Sequence, residues 1–167
     1  MTHTQPHPAV LQVVGYKNSG KTTLAGALIR RLRADGLSVA AVKHDGHDFE
    51  IDRPGTDSWS HAEAGADWVA ITSKQRTAWI AQRPAELDEL IALFSEADVV
   101  IIEGFKTAPY PKLVLLRDEA DLPLAALPGA AALLCPGDWR PDDARLPVFS
   151  RNDTAAVYRF VQTLLRL

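Results

Sequence analysis

Residues 15–22 have the types and the spacing of a loop that binds phosphate. They read Gly-Tyr-Lys-Asn-Ser-Gly-Lys-Thr, which matches the Walker A pattern. Glycine allows backbone N–H groups to surround an anion, and the helix that follows directs its positive end at the same anion. We therefore predict a site for a nucleoside triphosphate. Its residues are Gly15, Tyr16, Lys17, Asn18, Ser19, Gly20, Lys21, Thr22 and Thr23.

Two side chains at the end of this loop would have distinct chemical roles. The ammonium of Lys21 would neutralise the β and γ phosphates, which makes it a candidate catalytic residue. The hydroxyl of Thr22 would bind Mg²⁺, which prefers hard oxygen ligands. A glycine-rich turn that only joins a strand to a helix is the alternative. The apolar run 10–14 before the loop and the amphipathic period of residues 24–32 after it favour the phosphate loop.

Glu103 is the second candidate, because it follows four apolar residues that predict a buried strand. This is the Walker B arrangement, with glutamate in place of the commoner aspartate. The carboxylate would hold Mg²⁺ directly or through water, or orient an attacking water. An exposed acid at a strand end is the alternative. Because the ligand crevice of an open α/β sheet lies at the carboxyl ends of its strands, we expect Gly15, residues 43–48 and Glu103 to converge there.

The polar segment 43–48, Lys-His-Asp-Gly-His-Asp, follows a second predicted strand and has three interpretations. Its two histidines and its aspartates could bind a transition metal such as Zn or Ni. A switch-like loop could instead bring Asp45, as a catalytic acid, or Asp48 to Mg²⁺ while its cations face a second anion. A plain solvated loop is the third interpretation. The candidate substrate or switch residues are Lys43, His44, His47, Asp48 and Asp57, the last of which could equally cap a helix.

Composition limits the classes of partner. The chain has 167 residues, 47% hydrophobic and 23% charged, with a formal net charge of −3. This is the size of one folded domain, and the charge gives no general basic field for nucleic acid. The single Cys135 cannot form an internal disulfide, and no apolar run approaches the length of a membrane span. Because the first residues also lack the features of a secretory signal, we expect a cytoplasmic protein without nucleic-acid or membrane partners.

Short strand patterns alternate with helical periods along the chain, which predicts an α/β fold. We expect a P-loop NTPase with a mostly parallel sheet covered by helices on both faces. It would form one domain over residues 10–167, after a flexible tail over residues 1–9. The predicted strands cover 10–14, 38–42, 67–72, 77–81, 99–102, 113–116 and 130–134. The predicted helices follow the phosphate loop, run from Thr56 or Asp57 to Ala64, start at Pro84, and close the chain after a cap at Asn152 or Asp153.

Three segments together carry a family resemblance. They are residues 13–23, residues 42–66 with Phe-Glu-Ile-Asp-Arg-Pro-Gly-Thr-Asp-Ser at 49–58, and the strand end Glu-Gly-Phe-Lys at 103–106. Over residues 10–117 and 147–161 the chain resembles the molybdopterin-guanine dinucleotide biosynthesis protein B family. The resemblance implies a homodimeric GTP-binding protein with weak, Mg²⁺-dependent GTPase activity. It also implies two partners, molybdopterin and the molybdenum cofactor guanylyltransferase that joins GMP to it.

The same resemblance assigns the phosphate loop to residues 15–23, the metal side to Thr22 and Glu103, and a switch or cofactor-facing loop to residues 43–48. The chain departs from common patterns in three places. It lacks the Asn-Lys-x-Asp signature that recognises guanine in many GTPases, and segment 135–141 is irregular for the family. Lys17 lies one position later than the lysine that related P-loop proteins use across a dimer interface, so that role is not assigned to it.

Two other functional classes stay open. A metallochaperone GTPase for nickel enzymes would share the phosphate loop and the histidines, but it normally needs more soft or imidazole ligands than this chain offers. A small-molecule kinase or an ATP-dependent ligase would need an acceptor pocket and an arginine-bearing lid. The arginines available for such a lid are Arg53, Arg76 and Arg83.

Overall fold

The computed structural model describes residues 7–142 and 144–167. They divide into two compact units, one over Asp45–Glu89 and the other over the remaining residues. The predicted tail over residues 1–9 falls mainly outside the described residues, and the first strand begins at Ala9. In chain order the elements are β1 Ala9–Val14, α1 Lys21–Ala34, β2 Val39–Lys43, α2 Asp57–Glu63, β3 Trp68–Thr72, β4 Thr77–Ala81, α3 Leu87–Leu93, β5 Val99–Glu103, β6 Lys112–Leu115, a 3-10 helix Glu119–Ala126, β7 Ala130–Cys135, β8 Val148–Ser150 and α4 Thr154–Leu165.

The larger unit is built on a six-stranded sheet with the strand order β2-β5-β1-β6-β7-β8. Every neighbouring pair in it is parallel. The central strands are almost wholly buried, which explains why most of their residues are apolar. Because the strands are parallel, the carboxyl ends of β1, β2 and β5 lie at the same end of the sheet. The loops that follow these strands begin there.

Alternate residues of the central strands face two separate hydrophobic clusters. Leu11 and Val13 of β1 belong to the cluster that includes residues of α1 and α4. Val14 belongs to the other cluster, together with Leu124 of the 3-10 helix. The sheet is therefore covered on one face by α1 and α4, and over β6 and β7 on the other face by the 3-10 helix. The mostly parallel, helix-covered sheet predicted from the sequence is confirmed.

The smaller unit contains α2 and an antiparallel hairpin. Thr56 caps α2, because its side-chain oxygen accepts a hydrogen bond from the backbone N–H of Trp59 at 3.3 Å. In the hairpin, Trp68 pairs with Ala81 and Ala70 pairs with Trp79. Residues two apart on a strand share a face, so both tryptophans lie on one face of the hairpin. Their side chains are exposed by 64% and 52%.

Three elements differ from the sequence prediction. The helix predicted to start at Pro84 begins at Leu87 instead. The carboxylate of Glu89 accepts hydrogen bonds from the N–H of Glu86 and from Arg83, so the residues before the helix form a capped turn. The 3-10 helix and β8 were not predicted, because the helix contains Pro123 and the strand has only three residues at the edge of the sheet.

Candidate functional site

The phosphate loop joins β1 to α1, and its glycines are required by its shape. A side chain at Gly15 would come within 2.5 Å of the Ser19 hydroxyl and 2.9 Å of the Leu115 carbonyl oxygen. Gly20 has φ +97°, a left-handed conformation that residues with a side chain rarely adopt, and Asn18 has φ 63°. The backbone therefore turns tightly at this point, and only glycine fits at Gly15 and Gly20.

Helix α1 begins at Lys21 directly after the loop. Gly20, at its N-cap, has no side chain to bind the first N–H groups of the helix, which leaves that end suited to an anion. The ammonium of Lys21 donates a hydrogen bond to the carbonyl oxygen of Tyr16 at 2.8 Å. Partial burial lowers the pKa of Lys21, the carboxylate of Glu103 acts in the opposite direction, and nearby cations lower it further. This side chain is placed on the loop where phosphates are expected.

Glu103, the last residue of β5, lies against the start of α1. The hydroxyl of Thr22 donates to both of its carboxylate oxygens, at 2.9 and 3.0 Å. Two hard oxygen ligands are thus adjacent, the set that Mg²⁺ prefers. The hydroxyl of Ser19 is buried in the same loop without a hydrogen-bond partner among the described residues, so a polar ligand would satisfy it. The described residues fit an Mg²⁺ ion bound together with phosphate.

The end of β2 and the segment that follows it divide between the two units. In the larger unit, Lys43 is the register partner of Glu103 in the neighbouring strand. The backbone N–H of His44 donates to the carbonyl oxygen of Glu103 at 2.9 Å. The imidazole ring of His44 lies 4.6 Å from the ring of Phe105. At the carboxyl end of the sheet, the structure thus brings together four of the predicted residues, Gly15, Lys43, His44 and Glu103. The other candidate residues, Asp45, His47, Asp48 and Asp57, belong to the smaller unit and are exposed.

Two properties of the described residues bear on metal and membrane binding. Within residues 7–142 and 144–167, no three histidine, cysteine, aspartate or glutamate side chains form a group able to hold a metal ion. The helices in this part of the chain are also too short or too polar to cross a membrane. The Thr22 and Glu103 pair is a different kind of site, because its ligands include a hydroxyl.

The structure adds three cations to the site that the sequence did not assign to it. Lys106 and Arg117 both contact the ring of Tyr16, at 4.2 and 5.2 Å from its centroid. Arg151, which follows β8, donates a hydrogen bond to the carbonyl oxygen of Ser19 at 3.1 Å. Lys106 follows the Walker B acid by three residues, which was a usable signal. The sequence near Arg117 and Arg151 offered no comparable signal, because both reach the loop only through the tertiary fold.

This parallel sheet, with its phosphate loop between β1 and α1 and an acid at the end of β5, defines a P-loop NTPase-like fold. The family model described as molybdopterin guanine dinucleotide synthesis protein B matches residues 10–134. The chain therefore belongs to that family. This confirms the resemblance drawn from the sequence.

Individual relatives agree with this assignment. The probable molybdopterin-guanine dinucleotide biosynthesis adapter protein of Bacillus subtilis is 36% identical over 162 residues, which cover 94% of this chain and 93% of the relative. The corresponding adapter protein of Haemophilus influenzae is 40% identical over 119 residues, 69% of this chain and 67% of the relative. The crystal structure of Bacillus subtilis MobB matches with a TM-score of 0.81 and 33% identity, covering 94% of this chain and 98% of that chain.

Proposed function

We propose that this protein binds GTP with Mg²⁺ at the phosphate loop, hydrolyses it slowly, and acts as an adapter in the attachment of GMP to molybdopterin. The observation that carries the nucleotide part is the Thr22 to Glu103 hydrogen bond beside the Lys21 ammonium, inside a Walker A loop. The family and the names of the relatives support the pathway.

In this proposal each residue of the loop has a separate task. The N–H groups at the start of α1 and the ammonium of Lys21 bind and orient the phosphates. Thr22 and Glu103 would hold Mg²⁺, which neutralises charge on the β and γ phosphate oxygens when it is bound. Glu103 would also orient the water that attacks the terminal phosphate. Slow turnover is the expectation that the family resemblance gives.

The adapter role needs a surface that meets the partner enzyme. We assign this surface to Lys43, at the end of β2, and to His44, which follows it. His47, Asp48 and Asp57 belong to the smaller unit and are separate candidates. Lys43 and His44 lie beside Glu103 at the carboxyl end of the sheet, so their positions are sensitive to what binds there. Contact with molybdopterin or with the guanylyltransferase through this surface would couple nucleotide binding to the partner reaction.

We further propose that the protein is a homodimer that joins through the tryptophan face of the hairpin, defined by Trp68 and Trp79. Two large exposed apolar side chains on one face favour protein contact, and a two-fold axis would pair this face with itself. Analytical ultracentrifugation of the parent protein tests the proposal, because a monomer at micromolar concentration would contradict it.

Isothermal titration with GTP, ATP and Ni²⁺, each in the presence of Mg²⁺, separates this function from its rivals. The proposal expects a preference for GTP over ATP and no stoichiometric nickel binding. A preference for ATP would favour the kinase or ligase class, and tight nickel binding would favour the metallochaperone class. A reconstituted assay with the guanylyltransferase and molybdopterin then tests the adapter role. The adapter role is wrong if guanine dinucleotide formation is the same with and without this protein.

A further inference from the structure

The loop that follows Glu103 has an unusual backbone. Gly104 has φ +103° and Phe105 has φ +50°. Two successive residues therefore have a positive φ, and one of them carries a side chain. A side chain at Gly104 would also lie 3.0 Å from the Cβ of His44. A backbone of this kind persists only where neighbouring groups hold it in place.

Two buried polar side chains hold this loop. Gln12 of β1 and Lys112 of β6 are register partners in adjacent strands, and both are fully buried. The amide of Gln12 donates to the carbonyl oxygens of Gly104 at 2.9 Å and Phe105 at 2.7 Å. The ammonium of Lys112 donates to the carbonyl oxygens of Lys106, at 3.0 Å, and Ala108. Two interior side chains are therefore used to fix the path of residues 104–108.

This arrangement has a cost that packing alone does not explain. Burial lowers the pKa of Lys112, because it disfavours the charged ammonium. The side-chain oxygen of Gln12 is buried without a hydrogen-bond partner among the described residues. Apolar side chains in the two strands would avoid both penalties. The burial of Gln12 and Lys112 is therefore better explained by a role of the loop residues that they hold in place.

The loop carries Lys106 to the phosphate loop. Its ammonium lies over the ring of Tyr16, while the ammonium of Lys21 is hydrogen-bonded to the carbonyl oxygen of the same residue. Both lysines thus contact Tyr16, at the place where phosphates are expected.

Lys106 also differs from the second cation on this ring. The guanidinium of Arg117 forms two hydrogen bonds with the carboxylate of Asp121, both at 2.8 Å, and the side chain of Asp121 is almost fully buried. Arg117 is therefore fixed in place. The ammonium of Lys106 contacts a ring face, a weaker interaction than a charge-assisted hydrogen bond with phosphate. Its side chain is the one that a bound anion would move.

We propose that Lys106 is an additional phosphate-binding residue, whose ammonium leaves the Tyr16 ring to pair with the terminal phosphate of a bound nucleoside triphosphate. The site then distinguishes the triphosphate from the diphosphate. We assign Lys106 to the terminal phosphate because it follows Glu103 by three residues. Glu103 accepts a hydrogen bond from Thr22 on the proposed metal side of the site. This inference rests on the proposed nucleotide site.

The test compares Lys106→Gln with the parent protein in titrations against a non-hydrolysable GTP analogue and against GDP, both with Mg²⁺. Loss of one charged contact should weaken binding of the triphosphate analogue by roughly tenfold or more and change GDP binding by less than about twofold. Arg159→Gln is the matched control, because it removes one positive charge from an exposed position on α4. Lys106→Arg, which keeps the charge, should retain the preference for the triphosphate.

Four results would overturn the inference. Unchanged binding of the analogue by Lys106→Gln would show that the ammonium does not reach the terminal phosphate. An equal loss for both nucleotides, or the same loss in Arg159→Gln, would show a general effect of charge. If the parent protein itself binds neither nucleotide, the proposed nucleotide site fails, and this inference fails with it.

Discussion

The hydroxyl of Thr22 shares its proton between both carboxylate oxygens of Glu103, at 2.9 and 3.0 Å, although 81 positions separate the two residues in the chain. The two residues meet because β1 and β5 are parallel neighbours, with Val13 as the register partner of Glu103. One strand leads into the phosphate loop and the other ends at the acid. The sheet therefore brings the proposed phosphate and metal sides of the site together at the carboxyl end of its strands.

Replacement of Lys21 by alanine should reduce GTP affinity by at least tenfold. Charge-assisted hydrogen bonds contribute about 1.5–3 kcal/mol each, and Lys21 is placed to make more than one with phosphates. Its present hydrogen bond to Tyr16 is at the surface, so the fold should be retained. Titration calorimetry gives the affinity, and far-UV circular dichroism checks the fold. Unchanged affinity in a folded variant would show that residues 15–23 do not bind phosphate.

Replacement of Glu103 by glutamine should separate binding from turnover. The amide keeps the shape of the side chain and an oxygen that can accept the Thr22 hydrogen bond, but it loses the negative charge. We expect GTP binding to remain largely intact and single-turnover hydrolysis to fall by roughly 10²-fold or more, the scale on which positioned acid and base groups act. Hydrolysis at the parental rate would show that Glu103 has a structural role only.

Replacement of His44 and His47 together by alanine should leave GTP affinity within a few-fold of the parental value, because neither residue belongs to the phosphate loop. The variant should weaken the stimulation of guanine dinucleotide formation in the reconstituted assay. His61→Ala, at an exposed histidine of α2, is the control. If the double variant stimulates the partner as well as the parent does, the loop after β2 does not carry the coupling, and segment 135–141 becomes the next candidate.

Tyr158 predicts a pH dependence of stability at alkaline pH. Its burial, together with a 2.7 Å hydrogen bond that its hydroxyl donates to Asp35, raises the pKa from 10.0 to about 12. A folded-state pKa above the unfolded value contributes stability below pH 10 that is lost as the pH rises towards 12. Urea unfolding of the parent should therefore show a fall in the free energy of unfolding across this range.

The variant Tyr158→Phe should lose about 1 kcal/mol at neutral pH, because the hydrogen bond to Asp35 is removed. It should also show a smaller fall in the free energy of unfolding between pH 10 and 12. The parental protein, unfolded in urea over the same pH range, is the control. The same steep fall in Tyr158→Phe would assign the pH dependence to other groups.

The sequence by itself determined the parts of the site whose signals are local. Glycine at 15 and 20 is required by the backbone of the loop, and the apolar runs of β1 and β5 follow from strands that are buried on both faces. The cap at Thr56 and the hairpin after α2 are local as well, since a cap and a turn depend on a few neighbouring residues. These elements could be predicted because their causes lie within short stretches of chain.

Only the tertiary structure decided which polar residues lie inside the protein and what they contact. A lysine and a glutamine in two strands are expected to be exposed, yet both are buried. Carbonyl groups of the loop after Glu103, more than 90 positions away, accept the hydrogen bonds of Gln12. Carbonyl groups of the same loop, four and six positions away, accept those of Lys112. The positions of Lys106 and Arg117 over Tyr16 follow from that loop and from the Asp121 pair. The contacts of Gln12 with the loop, and of both cations with Tyr16, join residues that are far apart in sequence, and no local pattern encodes them.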